Sequence, residues 1–546
     1  MTQVSVSAYD ASYLPILRAY ADKLDLQSTI DECINGEMEI SPGLVVKAMV
    51  LDAGTGRTPL FRLNDYFRDK DREVLLGEDV PPEKLRDHTL GRVLDRLYDF
   101  GTRKILTRIA AAGLKLARIE QSGVHFDTTS IRTWGDFDPE KDDPVLMTYG
   151  HSKDRRPDLK QFVLSLLTVK GGLPVMFSAE DGNASDQQLN GDVIAMISDY
   201  FSEHGLPELK VYVADSAMVN QENLRLLGDI PFVSLLPGRY SARAELAAKA
   251  VAADEWTDLG TLARASGGSK RAAKYQAWET AVELHGETYR ACVYHSSAGN
   301  SRGLKSLDRQ IQREKQALEA EARQLAKREF FCEADALAEA AKLRNGAHHT
   351  VAARVEEKPI YGRGRPASSG KRVPKAIRHV LRVTVEENAE AVSNARKVAG
   401  CFVLISRRLD PAEVGSAQLL RIYKEQSDVE KNFEFLKDPM ILDSLFLKTP
   451  RRIEALALVL VITLFIWRLA QYIMRQRLAQ HGRFVPGWKN KPTQAPTTFM
   501  MTTKFRQVIV LTINGERKFA APLRADQLAF LWALDLEETI YLQTVT

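Results

Sequence analysis

The chain is 546 residues long, with 45% hydrophobic and 27% charged side chains, which is more than one ordinary domain and enough apolar material for several cores. A net charge of +4 is too small for this length to make the whole molecule a polyanion binder, so any basic footprint has to be local. Cys33, Cys292, Cys332 and Cys401 are scattered without a disulfide framework, and the first residues have neither the basic start nor the apolar run of a secretory signal; both point to the cytoplasm.

Residues 8 to 120 read as mostly helical. Ser28 and Ser41 have the character of N-caps, the second followed by Pro42, and Gly101 closes a long amphipathic run that begins near Glu83. Within that run a short helix, a turn and a second helix starting at Thr89 are expected. Arg92 and Arg96 would then share a face, as on a DNA recognition helix. Arginines on the outside of any helical domain give the same pattern.

The period changes from residue 121. Val124 to Ser130 is strand-like and carries Asp127; a second strand leads into Leu167-Thr-Val, and Gly172 to Ala179 makes a third. Asp186 to Tyr200 reads as a helix. Leu209 to Ala214 is a fourth strand with Asp215 at its carboxyl end, Asn220 opens another helix, and Ile230 to Leu236 is a fifth strand. This order suits an α/β fold with a five-stranded mixed sheet of the ribonuclease H type.

Residues 237–400 form a large insertion. Leu304, Ile311, Leu318 and Leu325 recur every seven residues, and Ala334 to Leu343 looks like the antiparallel return of a helical hairpin. Residues 358–379 contain seven Lys or Arg and no acid. Within them Gly362-Arg363-Gly364-Arg365-Pro366 looks like the core of an AT-hook, through which Arg363 and Arg365 would enter a narrow minor groove; a flexible basic linker has the same composition. Beyond the insertion, Tyr423, Gln426, Glu430 and Lys437 fall on one face of a predicted helix over 423–437. The apolar run Ala455 to Ile466 is shorter than the roughly 20 residues of a bilayer span, so a buried core helix and no membrane partner are expected. The predicted division is a helical N-terminal domain (1–120), a core in two parts (121–236 and 401–475) around the insertion (237–400), and a C-terminal module (476–546).

The row Tyr423-x2-Gln426-x3-Glu430-x6-Lys437 resembles the Tyr-x2-Arg-x3-Glu-x6-Lys signature of one branch of bacterial insertion-sequence DDE transposases, the insertion sequence four superfamily, with Gln426 in place of Arg. The strings Gly-His-Ser-Lys-Asp-Arg-Arg-Pro-Asp-Leu-Lys-Gln (150–161) and Asp181-Gly-Asn-Ala-Ser-Asp186 are similar to that group too. The resemblance implies a ribonuclease H-like core in which Asp127, Asp215 and Glu430 bind metal and catalyse. It implies Tyr423, Gln426 and Lys437 as DNA contacts, double-stranded DNA with terminal inverted repeats and target DNA as partners, and a homodimer at work on paired ends.

Phosphodiester chemistry asks for the same donors. Two divalent ions about 3.5 to 4 Å apart neutralise the phosphoryl centre and activate the attacking oxygen. Mg²⁺, with Mn²⁺ as substitute, is held by few carboxylates plus waters. Gln426 can donate a hydrogen bond but lacks the charge and fork of Arg. Two further readings fit the residues: a metal-dependent nuclease of the same fold without strand transfer, and a catalytically inactive DNA-binding regulator. Every catalytic reading requires Glu430 within reach of Asp127 and Asp215.

Overall fold

The computed structural model describes residues 5–34, 38–56, 58–133, 143–152, 156–261, 273–297, 301–362, 373–437 and 449–543. The fold is mixed α/β with a large mixed sheet, and the chain divides into two compact units, residues 1–234 with 421–546, and residues 235–420.

The first unit opens with a strand that the sequence pattern did not suggest. β1 (Val6–Asp10) pairs antiparallel with the C-terminal strand Ile509–Ile513. Helices follow at Leu14–Lys23, Leu26–Cys33, Pro42–Thr55, Leu63–Arg68, Arg72–Leu76, Asp87–Phe100 and Thr102–Leu116. Ser41 caps the third of them, its hydroxyl accepting the Leu44 N–H at 3.1 Å, which relieves one of the orphan donors of the first turn. Ser28 does not cap. It sits inside the helix Leu26–Cys33, whose N-cap is Asp25, and donates to the Asp25 carbonyl at 3.0 Å. The helix expected from Thr89 begins two residues earlier, at Asp87.

The central strands of this unit are β2 (Gln121–Arg132), β3 (Gln161–Val169), β4 (Leu173–Glu180), β5 (Glu208–Ala214) and β6 (Phe232–Leu235), in the order β4-β3-β2-β5-β6. The pairs β2–β3 and β3–β4 are antiparallel, while β5 runs parallel to both β2 and β6. The helix Asp186–Glu203 makes the crossover between β4 and β5, and the helix Gln221–Leu227 the one between β5 and β6. All nine residues of β3 are buried, as in a strand covered on both faces. Alternate residues of β2 identify the covers. Thr128 donates to Asp186 at the start of the crossover helix (2.5 Å). His125 and Ile131, which point the other way, meet Glu425 and Leu436.

The helix Pro450–Gln480 organises the same unit. At 31 residues, with a mean hydropathy of 2.2 over its most apolar 18, it is long enough to cross a bilayer, unlike the short run expected from sequence. Within that window 89% of the helix is nevertheless buried, and the helix packs against the helices Pro42–Thr55, Asp87–Phe100 and Thr102–Leu116 and against β4. Close approach depends on Gly113, where any Cβ would run into the Phe465 ring. Arg452 fixes the start of the helix through a two-pronged bond to Asp95 (2.7 and 2.8 Å). The C-terminal residues are built into this assembly instead of forming a separate module: Tyr20 donates to the Leu534 carbonyl (2.7 Å), Arg18 to that of Ile540 (2.6 Å), and Tyr541 to that of Ser12 (2.8 Å).

In the second unit, the strand Cys401–Arg407 pairs antiparallel with Glu287–Ser296, which pairs with Lys274–Leu284, and that with Thr257–Thr261. Residues 401–420 therefore belong with the inserted unit and not with the second part of the core. The region read as a basic linker is flanked by a long hairpin, His349–Ile360 against Ala376–Glu387, in unbroken register from His349↔Glu387 to Ile360↔Ala376. The heptad helix is real, Ser301–Ala326, but the helical hairpin is not its packing mode. It lies on Ala376–Glu387 and on the helix Ala389–Ala399, sharing an apolar cluster of Leu307, Ile311 and Val392. The shorter helix Glu333–Ala340 packs on the ribbon around Phe330, Ala336 and Leu381.

Candidate functional site

Strand register puts two of the three predicted carboxylates side by side. The parallel pairing of β2 and β5 runs through Phe126↔Ala214, so the next residues, Asp127 in the middle of β2 and Asp215 just past the end of β5, follow on neighbouring strands spaced about 4.8 Å apart. Each is oriented by local backbone. Asp127 Oδ1 accepts the Thr128 N–H at 2.8 Å. Asp215 caps the short 3-10 helix Ser216–Met218, its Oδ1 accepting the Ala217 N–H at 2.9 Å, while its carbonyl accepts the Ser234 hydroxyl at 2.9 Å. Two further acids, just after β4, have structural partners: Asp181 accepts the Leu146 N–H (2.7 Å) and Asp186 the Thr128 hydroxyl.

The predicted helix over 423–437 is two helices. One ends at Lys424; after a turn at Glu425 and Gln426 the second runs Ser427–Leu436. The backbone stays right-handed at Gln426 (φ −55°, ψ −26°), but the bonding tightens to i→i+3, with the Asp428 and Val429 N–H groups donating to the carbonyls of Glu425 (2.9 Å) and Gln426 (3.0 Å). The four signature residues consequently do not share one exposed face. Gln426 is buried, Tyr423 and Lys437 are half-buried, and Glu430 is exposed.

The second helix packs on β2 and on the long helix. At its start Glu425 approaches buried His125, Nε2 to Oε2 3.8 Å, and at its end Leu436 lines an apolar pocket with Ile131, Phe162 and Leu164. His125 and Ile131 lie about 20 Å apart along the strand, and Glu425 and Leu436 about 16 Å apart along the helix. Helix and strand thus run alongside each other. Among the described residues, no three His, Cys, Asp or Glu side chains are placed to hold a metal ion. The structure therefore packs the helix of Glu430 on the strand of Asp127 without drawing all three carboxylates into a ligand set.

The other predicted contacts are dispersed. Arg92 is exposed on the helix Asp87–Phe100, whereas Arg96 is half-buried with Nη1 inside the protein, so the two are not presented alike. Arg363 and Arg365 lie outside the described residues. Sequence reasoning overlooked Asn432 and Arg468, which bond to each other behind the Glu430 helix at 2.6 Å. A charged residue within an apolar run was the available signal.

A family model described as a domain of unknown function, DUF4277, matches residues 6–111, the helical N-terminal part. A search of curated proteins finds no match to the chain.

Proposed function

We propose that the protein is a DNA transposase with a ribonuclease H-like core, which cuts the ends of an insertion sequence and joins the freed 3′-hydroxyl to target DNA. The observation that carries this reading is the position of Asp127 and Asp215 immediately after the last paired residues of adjacent parallel strands, with the helix bearing Glu430 packed on the first of them. The strand order β4-β3-β2-β5-β6, with its antiparallel half followed by parallel additions, supports it.

The donor chemistry suits Mg²⁺ or Mn²⁺, because three carboxylates offer only hard oxygens. Asp127, Asp215 and Glu430 would hold the ions, which when bound neutralise charge on the phosphoryl group and activate the attacking oxygen. The protein's own part is positional. β2 and β5 hold two carboxylates at a fixed spacing, and the reading requires Glu430 to close on them when DNA binds. Tyr423 and Lys437 flank that helix and would contact backbone phosphates. Buried Gln426 would brace the turn between the helices instead of gripping phosphate as Arg does.

The test is incubation of the full chain with duplexes carrying the sequences that flank its gene, with Mg²⁺ or Mn²⁺. Cleavage with joined products supports the proposal, and cleavage alone supports a nuclease of the same fold. A bound but intact duplex supports an inactive regulator, the alternative that the burial of Gln426 favours. Inverted repeats and a short direct duplication beside the gene would support the same class.

A further inference from the structure

We infer that Asn432 and Arg468 are positioning residues, which with Gly172 set the rotation and axial position of the helix that carries Glu430. The inference rests on the catalytic reading of Glu430 and adds what holds that carboxylate to its strand.

The helix Ser427–Leu436 adheres to the sheet through Val429, Phe433 and Leu436. Apolar adhesion is non-directional and leaves a ten-residue helix free to roll or slide. Asn432 removes that freedom. It is wholly buried, and both ends of its amide are engaged: Nδ2 donates to the Gly172 carbonyl at 2.9 Å and Oδ1 accepts from Arg468 Nε at 2.6 Å. Two residues from Glu430, it lies about 200° around the helix, so the bracket holds the back while Glu430 occupies the front. Any roll about Asn432 would swing the carboxylate.

Arg468 is an anomaly in its own helix, a cation between Trp467 and Leu469 in the most apolar segment of the chain. Burial pushes its guanidinium below the usual arginine range, offset by the nearby Asp428 carboxylate. Its Nη2 also reaches the Asp428 carbonyl at 3.4 Å. Holding a charge in such a place costs free energy that packing alone would not require. The turn that receives the helix is shaped for it. Gly172 has φ +71°, where other residues are strained, and a Cβ there would sit 3.1 Å from the Cβ of Asp428. The strand turn, the long helix and the Glu430 helix are thus tied at one point, and groups that orient a ligating side chain typically change metal affinity or rate by about 10 to 100-fold when removed.

The test compares the full-length protein with Asn432→Ala, Asn432→Asp, Arg468→Gln and Asp127→Asn. The measurements are Mn²⁺ binding by calorimetry to the duplex-bound protein, single-turnover cleavage of the flanking-sequence duplex against Mg²⁺ concentration, duplex affinity, and melting temperature. Asn432→Ala and Arg468→Gln are expected to weaken Mn²⁺ binding and shift the Mg²⁺ dependence by about tenfold or more, with duplex affinity within about threefold. Asn432→Asp, which keeps the volume and the acceptor for Arg468 but loses the donor to Gly172, should fall between them and wild type; it also serves if the alanine variant fails to fold. Unchanged metal binding and metal dependence in folded Asn432→Asp and Arg468→Gln, with only the melting temperature lowered, would overturn the inference and leave the proposed function standing. Cleavage that survives Asp127→Asn would overturn the proposed function itself.

Discussion

β3 of the first unit and the ribbon strands of the second are opposite solutions to building a strand. β3 buries all nine of its residues, whereas His349–Ile360 buries only His349 and Ala376–Glu387 only Leu381. Two-sided burial pins register, because a one-residue slip would exchange every contact on both faces. A carboxylate on β2 or just past β5 inherits that precision, which the proposed metal site needs. The ribbon keeps its register through backbone pairing and a small cluster beneath it, and its exposed side chains are free to vary.

The sharpest way to break this contrast is at the aspartates. Asp127→Asn or Asp215→Asn is expected to lower cleavage by at least about 1,000-fold while leaving duplex binding in place, measured by single-turnover assay and gel shift. An active Asp127→Asn protein would make β2 mere scaffold. Next in size is Gly113→Ala. In an exposed helix this change would stabilise by about 1 kcal/mol; here the Cβ meets Phe465, so a loss of about 1 to 3 kcal/mol is expected in a urea titration. A gain would mean that the long helix is loosely seated.

The units should also answer acid in opposite directions. Burial pushes the Asp52 carboxyl in the first unit up from 3.8 to about 7, against the lowering effect of bonds from Thr58. A raised folded value stabilises fully below 3.8, and that contribution is lost as pH rises to about 7. In the second unit burial alone would raise Glu314, but bonds from the His348 N–H and the imidazoles of His348 and His349 prevail and bring it from 4.5 down to about 2. Its contribution is present above 4.5 and lost as pH falls toward 2. Asp52→Asn and Glu314→Gln should each flatten one slope and leave the other, read from melting temperature between pH 2 and 8. The smallest effect belongs to the ribbon surface, where Thr350→Ala should change stability by less than about 0.5 kcal/mol.

Much of this plan was legible in residue patterns, because those patterns are local. The Ser41-Pro42 helix start and the alternation around Asp127 depend on neighbours within a few positions. The turn at Glu425 and Gln426 was not legible, since every residue there is an acceptable helix former and the change in bonding comes from fitting two helices to one strand. β1 escaped notice because its partner lies some 500 residues away in a segment that itself looked like a separate module. Of the ribbon, Val380 to Val385 reads as strand from the sequence, whereas His349–Ile360 does not: exposed strands lack the apolar alternation by which strands are recognised.

Residue order alone settled that Asp127 lies on a strand, that Asp215 follows one, and which stretch has to be buried, since all follow from side-chain type and period. Tertiary packing decided that Asp127 and Asp215 follow on adjacent strands, that the helix of Glu430 packs on the first of them, and that the two chain ends share a sheet. Those relations depend on parallel register and on a bracket of Asn432, Arg468 and Gly172 drawn from three distant segments, and distance along the chain carries no information about either.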